Sequence, residues 1–238
     1  MKKFKKIILT IIIAIIIVIF SICGYAGIRG YNMYKNAIEK EPIDEKFSKI
    51  IKDENFCETD EVPQIFLDAI IAVEDRRFYQ HKGIDIISIG RAVVVDFITR
   101  DFTEGGSTIT QQIAKNEYFT QNKNFYRKIA EAFVAKDIEE EFSKEEILEI
   151  YYNTNYYGNG YYGVYDACQG YFGKDPIDMT DYEATLLAGI PNAPSSYAIN
   201  KHLDLAEKRQ DSVLKKMVDA GYLTEEEKEE IEQEQQTQ

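Results

Sequence analysis

The chain has 238 residues, of which 45% are hydrophobic, so it can form one domain with a substantial core but not two large enzyme domains. Its formal net charge of -13 argues against nucleic-acid binding. The 17 tyrosines and 13 phenylalanines argue against a disordered acidic chain.

The N-terminus predicts a membrane anchor. Residues 1–6 form a basic tail with four lysines, and residues 7–28 contain no charge. A helix over residues 7–28 would be roughly 33 Å long, enough for a hydrocarbon core of about 30 Å. The basic tail predicts that the N-terminus is cytoplasmic and that the rest of the chain lies outside the cell membrane. A cleavable signal peptide is the alternative, but its apolar region is typically only about 7–15 residues long.

Three further regions follow along the chain. Residues 29–59 have mixed charge and contain Pro42, and they predict a juxtamembrane connector. Residues 60–223 show helical periodicity almost throughout, which predicts a mainly α domain. Residues 224–238 hold seven glutamates and one lysine and predict a solvated acidic helix or tail.

Capping patterns predict where several helices begin. Asp60, followed by Pro63, predicts the start of the first helix of the domain. Capping-box spacing is found at three later positions: Ser143 with Glu146, Thr180 with Glu183, and Thr224 with Glu227. The helix from Asp181 should end before Pro191 and Pro194. The run 153–173 is rich in tyrosine and glycine and predicts a structured loop.

A carboxylate lies at the edge of an apolar stripe on the helix predicted over residues 62–78. The stripe consists of Phe66, Ala69, Ile70 and Val73. Glu74 follows Ile70 by one turn, so we expect it to be partly removed from water. Such a carboxylate is a better base near neutral pH. The alternative is an ordinary surface ion pair between Glu74 and Arg77.

A second acid, Glu131, faces inward on the helix predicted over residues 127–142. The apolar stripe of this helix consists of Val134, Ala135, Ile138 and Phe142. An unpaired carboxylate in a core is costly, so we expect Glu131 to meet Arg127, Lys128 or Lys115. A purely structural ion pair is the alternative interpretation.

A glycine-rich turn precedes another helix. Gly105 and Gly106 lead into Ser107 and Thr108, and Thr108 has capping-box spacing with Gln111. Free N–H groups at such a helix start suit an anion such as phosphate, although an ordinary cap is the alternative.

The remaining candidate residues do not indicate a metal site. His81 is expected to be a structural hydrogen-bonding residue, and His202 has no motif around it. Cys57 and Cys168 either form a disulfide or remain free thiols.

Five runs, in this order, closely resemble the motifs of the peptidoglycan glycosyltransferases, glycosyltransferase family 51. The first has Glu74, Asp75, Phe78, His81 and Gly83, the second spans residues 105–112 with Lys115 and Asn116 following, and the third has Arg127, Lys128 and Glu131. Residues 143–153 resemble the fourth motif and residues 187–195 the last. The resemblance covers roughly residues 60–209.

The resemblance implies a lysozyme-like, mainly α glycosyltransferase domain, with a large globular lobe and a small membrane-near lobe, preceded by one transmembrane helix. We expect residues 84–102 to belong to the small lobe, because they are apolar on more than one face. A buried core helix is the alternative. The protein would be a single-pass protein of the bacterial cell membrane.

The implied activity is polymerisation of lipid II into β-1,4-linked glycan strands, with inversion and release of undecaprenyl diphosphate. The implied catalytic residues are Glu74, as general base for the acceptor hydroxyl, and Glu131, which orients the cations. The implied substrate-binding residues are Asp75, Phe78, His81, Ser107, Thr108, Gln111, Gln112, Lys115, Asn116, Lys123, Arg127 and Lys128. Lys123 stands where relatives often carry another basic residue, and a lysine binds phosphate less bidentately than an arginine.

The implied partners are lipid II, the growing glycan strand, the bilayer and other cell-wall synthesis proteins, with no nucleic acid. The resemblance implies no required cofactor, with Mg²⁺ or Mn²⁺ as an ion that assists diphosphate binding without being essential. Because no transpeptidase domain follows, the monofunctional form is expected. Two alternatives remain: a lysozyme-like enzyme that cleaves glycan with paired carboxylates, and a non-catalytic, membrane-tethered scaffold.

Overall fold

The computed structural model describes residues 2–99, 106–120 and 124–235, and side chains within these ranges except at Lys2, residues 93–99 and Gln235. The described residues form eleven α-helices and no β-strand, which confirms the predicted mainly α fold. The helices are α1 (Lys2–Lys40), α2 (Ile43–Ile51), α3 (Gln64–Glu74), α4 (Ile86–Thr99), α5 (Ile109–Tyr118), α6 (Phe125–Glu141), α7 (Lys144–Thr154), α8 (Val164–Phe172), α9 (Asp181–Gly189), α10 (Leu203–Ala220) and α11 (Glu225–Gln235).

Helix α1 is long and apolar enough to cross a membrane. Its isoleucine-rich first part packs against no other element, and its side chains are exposed, as a lipid-facing helix requires. The helix continues past residue 28 to Lys40, so the first part of the predicted connector is helical. Pro42 then separates α1 from α2, because proline cannot donate the next helical hydrogen bond.

The C-terminal part of α1 packs along α6. Gly30 lies directly against Ile129, and Tyr34 donates a 2.5 Å hydrogen bond from its hydroxyl to Asp137 Oδ2. The Tyr34 ring also contacts the Phe133 ring, with centroids 5.4 Å apart. The apolar N-terminal helix is therefore attached to the helix that carries Glu131.

The core lies where α3, α5, α7, α9 and α10 meet. Helix α3 packs between α9 and α10, and α5 packs between α6 and α7. The largest fully buried side chains of this core include Phe66, Ile70, Ile113, Tyr151 and Tyr157. Helix α11 joins this body through Ile231, which is buried against α9 and α10. The predicted acidic C-terminal region is thus a docked helix over its described residues.

The predicted start and end of the first domain helix were wrong. Helix α3 follows Pro63 directly, and Asp60 instead belongs to the short 3₁₀ helix Thr59–Glu61. The helix ends at Glu74, short of the expected residue 78, because Asp75 leaves the helical region with φ -154° and turns its carboxylate to other partners.

Other helix starts are confirmed. Capping boxes form at Ser143 and Thr180, and Thr224 exchanges the same hydrogen bonds with Glu227. The helix from Asp181 ends at Gly189, before Pro191, as expected.

The structured loop expected over residues 153–173 contains a helix, α8. Its N-terminal neighbour Gly163 has φ 80° and its C-terminal neighbour Gly173 has φ 66°, conformations that favour glycine. The glycines therefore mark the two ends of the helix, and Val164, Ala167 and Cys168 supply its buried face.

Helix α4 stands apart from the core. Ile86 is 79% exposed and Ile87 is 62% exposed, so the alternative of a buried core helix is wrong for the start of α4. The apolar run of this region also includes Val93, Val94, Val95, Phe97 and Ile98, whose side chains lie outside the described part of the structure, as do residues 100–102.

Candidate active site

An open groove of about 620 Å³ lies between the end of α3, the beginnings of α4 and α5, and α10. Glu74 and Asp75 border it where α3 ends. The residues that line it from α5 and the turn before it are Gly106, Ser107, Thr108, Gln112 and Lys115. Helix α10 closes the other side with Arg209, Ser212 and Lys216. The groove therefore brings the first two predicted motifs together with a helix that follows the last one.

Glu74 is held at the wall of this groove with its side chain 10% exposed. Its Oε2 accepts a 2.6 Å hydrogen bond from Gln112 Nε2, while its Oε1 is buried and lies 3.9 Å from Arg209 Nη2. The predicted burial at the edge of the stripe is confirmed. The alternative ion pair is wrong, because Arg77 Nε instead lies 2.9 Å from Asp85 Oδ2.

Asp75 and His81 form a buried link behind the groove. The His81 Nε2 atom lies 3.0 and 2.9 Å from the two carboxylate oxygens of Asp75. Asp75 Oδ2 also accepts the N–H of Ile109, the first residue of α5, at 3.0 Å. The expectation that His81 is a structural hydrogen-bonding residue is confirmed. Together these contacts tie the end of α3 to the start of α5.

The backbone N–H groups at the start of α5 are hydrogen-bonded mainly to other groups of the protein. Thr108 Oγ1 accepts the N–H of Gln111 at 3.1 Å and donates to Gly83 O at 2.7 Å, so the predicted capping box is confirmed. Because Ile109 N–H is also bound, by Asp75, two backbone donors that an anion was expected to use are already occupied. An anion in this groove would therefore depend more on cationic side chains than the sequence suggested.

Glu131 is the centre of a buried charge cluster. Its side chain is 1% exposed, with Arg127 Nε 2.8 Å from Oε1 and Lys128 Nζ 3.2 Å from Oε2. The Arg127 N–H does not point along a hydrogen-bond direction, so this contact is an ion pair. Lys128 Nζ also donates to Ser107 Oγ at 2.6 Å, which connects the cluster to the groove wall. Of the three expected cationic partners, Arg127 and Lys128 are confirmed and Lys115 is not in contact.

Lys115 lies on the groove wall and makes no ion pair with another described residue. Burial lowers the pKa of Lys115; the Glu131 charge opposes this change, and the Lys128 and Arg127 charges add to it. A partly buried cation without a partner is an unfavourable arrangement in the free protein. It suits a site that receives an anion.

The other predicted site residues lie away from the groove wall. Phe78 is fully buried, with Lys144 Nζ 4.3 Å from its ring centroid, and Gln111 is buried in the α5 cap. Asn116 donates from Nδ2 to Asn155 Oδ1 at 3.2 Å. Their positions support the groove from behind, and their substrate-binding roles stay predictions. Lys123 and Gly105 lie outside the described residues.

Arg209 and Asn192 line the groove but were not among the predicted site residues. Arg209 precedes Val213 by one turn, at the edge of the apolar face of α10, which is the same kind of position that singled out Glu74. This signal was therefore available in the sequence.

Two further observations concern metal binding and the cysteines. Within residues 2–99, 106–120 and 124–235, no three His, Cys, Asp or Glu side chains converge on a possible metal site. Cys57 and Cys168 are both buried free thiols, which decides between the two alternatives for this pair.

The chain is similar to known proteins over most of its length. Residues 42–218 match the family model described as Transglycosylase. Over 235 residues the chain is 40% identical to penicillin-binding protein 1F of Bacillus subtilis (strain 168), covering 93% of this chain and 33% of that protein. Over 175 residues it is 43% identical to penicillin-binding protein 1A of Aquifex aeolicus (strain VF5), covering 74% of this chain and 24% of that protein.

Among solved structures, the crystal structure of penicillin-binding protein 1A from Haemophilus influenzae matches 74% of this chain and 17% of that chain, with 25% identity and a TM-score of 0.44. The chain thus spans about a third or less of the length of these relatives.

Proposed function

The chain belongs to the transglycosylase family, and from this membership we propose that it polymerises lipid II into β-1,4-linked glycan strands with release of undecaprenyl diphosphate. The observation that carries the proposal is the groove, where the carboxylate of Glu74 and the ammonium of Lys115 line one cavity. A sugar hydroxyl is a poor nucleophile and needs a base, whereas a diphosphate is a good leaving group that needs cations.

In the proposed reaction, Glu74 takes the proton of the 4-hydroxyl of the acceptor N-acetylglucosamine. The hydroxyl oxygen forms a bond to the anomeric carbon of the donor strand from the face opposite the diphosphate. The bond from the anomeric carbon to the diphosphate oxygen breaks, and its electron pair leaves with the diphosphate. The configuration is therefore inverted, and the proton on Glu74 is later lost to water.

The developing charge on the diphosphate is met by cations on the groove wall. Lys115 lines the groove and has no carboxylate partner among the described residues, so it is the first candidate. Lys128 reaches the wall through Ser107, and Glu131 orients Lys128 and Arg127. The role of Lys123 in binding phosphate stays a prediction.

The reaction as proposed requires no cofactor. The described residues around the groove provide no cluster of ligands for Mg²⁺ or Mn²⁺, so such an ion would be bound chiefly by diphosphate oxygens. No step is assigned to it.

We place α1 across the bacterial cell membrane, with the basic N-terminus in the cytoplasm and the groove on the outer side. Its lipid-linked substrate would then reach the groove from the bilayer, and the growing strand would leave into the wall. The exposed isoleucines at the start of α4 support a position near the bilayer for this side of the domain. Other cell-wall synthesis proteins remain expected partners.

The test is polymerisation of lipid II by the wild-type protein and by Glu74→Gln. Replacing the base with an isosteric amide should lower the rate by about 10²–10⁴-fold while the protein remains folded. Asp68→Asn, a matched change on α3 where Asp68 is bound by Gln64 rather than facing the groove, should retain the wild-type rate. Near-normal polymerisation by folded Glu74→Gln protein would contradict the assignment.

Glu131 is not placed to supply the second carboxyl group that glycan cleavage would require. A lysozyme-like enzyme needs a second carboxyl group that donates a proton at the scissile bond. Glu131 is buried, paired with two cations and absent from the groove wall, so it is unsuited to donate a proton there. Incubation with finished glycan should release no short sugars. A scaffold without catalysis would show neither strand growth nor cleavage.

A further inference from the structure

The two oxygens of the Glu74 carboxylate have different surroundings. Oε2 is bound by Gln112 from α5. Oε1 is fully buried and has no hydrogen-bond partner among the described residues, because Arg209 Nη2, at 3.9 Å, is too far for a hydrogen bond. A base that must point into a groove needs both oxygens held in place, so Oε1 also needs a hydrogen-bond partner.

A row of polar side chains leads from Glu74 into the core. Gln112 and Asn116 lie one turn apart on the same face of α5, which packs against α7. Asn116 Nδ2 donates to Asn155 Oδ1 at 3.2 Å, and Asn155 caps the C-terminus of α7 by donating its backbone N–H to Tyr151 O. Asn155 is 3% exposed. The polar row therefore continues from the groove wall to the end of α7.

Two further buried polar atoms in this region are not fully satisfied. The Tyr151 hydroxyl lies near the Asn155 side chain, but neither the hydroxyl nor Asn155 Nδ2 makes a well-directed hydrogen bond with another described residue. Tyr151 is 1% exposed. Burial raises the pKa of Tyr151 well above its ordinary value, and the negative charge of Glu74 raises it further.

Three unsatisfied polar atoms in one buried region are costly. Folded proteins ordinarily satisfy such groups with an internal water that makes two to four hydrogen bonds. A hydroxyl donor, an amide donor and a carboxylate acceptor are a complementary set for one water.

We propose that Tyr151 and Asn155 are positioning residues for Glu74, and that they hold its inner oxygen, Oε1, through a bridging water. This inference rests on the proposed function, in which Glu74 is the general base. With Oε1 fixed from the core, Oε2 is aimed at the groove, where it takes the proton of the acceptor hydroxyl. Neither Tyr151 nor Asn155 lines the groove, so neither touches the substrate.

The test is Tyr151→Phe, which removes only the hydroxyl. Its kcat should fall roughly tenfold, the size expected for losing one water-mediated hydrogen bond to the base, while KM for lipid II stays within about twofold. Its melting temperature should also fall. Tyr152→Phe is the matched control, since the Tyr152 hydroxyl is equally buried on α7 but donates to Cys57 O at 3.1 Å. This control should melt lower and keep the wild-type kcat.

Two results would overturn the proposal. If Tyr151→Phe protein melts at the same or a higher temperature, its hydroxyl had no partner to lose. If the protein melts lower but keeps its kcat, the hydroxyl supports the core and not the base.

A double-mutant cycle of Tyr151→Phe and Glu74→Gln, measured by melting temperature, tests the link without an activity assay. Non-additive melting shifts for Tyr151→Phe and Glu74→Gln support the link, and additive shifts overturn it. If the melting shifts are non-additive but the wild-type protein does not polymerise lipid II, only the proposed function is overturned.

Discussion

The contact between α1 and α6 at Gly30 provides a sharp test of how the membrane helix is attached. A Cβ atom at Gly30 would lie 2.6 Å from both Cβ and Cγ2 of Ile129, and 3.1 Å from Tyr126 O. Carbon atoms pack at about 3.5–4.0 Å, so Gly30→Ala creates an overlap of roughly 1 Å. Ile129 Cβ is fixed to the α6 backbone, so a side-chain rotation cannot relieve this overlap.

The expected cost follows from this geometry. Overpacking of this kind costs about 1–3 kcal/mol, whereas exchanging glycine for alanine within a helix gains up to about 1 kcal/mol. Gly27→Ala is the matched control, because a Cβ atom there meets no atom within 4 Å. The control should therefore be neutral or stabilised. The two variants should differ by about 1–3 kcal/mol in the free energy of unfolding.

The assay is thermal unfolding of the full chain in detergent micelles, combined with hydrogen exchange of the α6 amides. At about 2–4 °C per kcal/mol, the two variants should differ by roughly 2–12 °C in melting temperature. Exchange near Ile129 should be faster in Gly30→Ala only. Because α6 carries Glu131, Gly30→Ala should also slow polymerisation. Equal melting temperatures and equal exchange in the two variants would refute the packing argument.

Three further predictions concern the site. Glu131→Ala removes the buried carboxylate that Arg127 and Lys128 share and should destabilise the protein by about 3–5 kcal/mol in thermal melts, while Glu140→Ala, which breaks an exposed pair on the same helix, should leave stability unchanged. Thr108→Val removes a buried cap and should cost about 0.5–2 kcal/mol, more than Thr224→Val at an exposed cap; equal losses would contradict this. Burial lowers the pKa of Lys115, so its charge is present below the lowered value and lost as pH rises through it. KM for lipid II should therefore rise as pH passes that value, at a lower pH than for an exposed lysine, and Lys115→Arg should show no such rise. The pKa of Lys115 is lower in the folded protein than in the unfolded chain, so the unfolded chain binds the proton more tightly. The free energy of unfolding should therefore increase with pH between these two pKa values.

Local patterns in the sequence were enough to predict most of the helices. Capping boxes at Ser143, Thr180 and Thr108 depend on residues three positions apart, so their formation needs no distant contact. The prediction failed at residues 153–173, where glycines that end a short helix were interpreted as loop residues. It also failed at Asp60, because this residue belongs to a short 3₁₀ helix that precedes α3.

The sequence by itself determined that the protein is mainly helical, that an apolar N-terminal helix precedes the domain, and that Glu74 and Glu131 face inward, because each follows from the spacing of apolar residues on one helix. Only the tertiary structure decided what these acids meet. Gln112 is 38 positions from Glu74, and Arg209, Tyr151 and Asn155 reach the same region from α10 and α7. Such partners depend on how helices pack, and periodicity within a single helix carries no information about its neighbours.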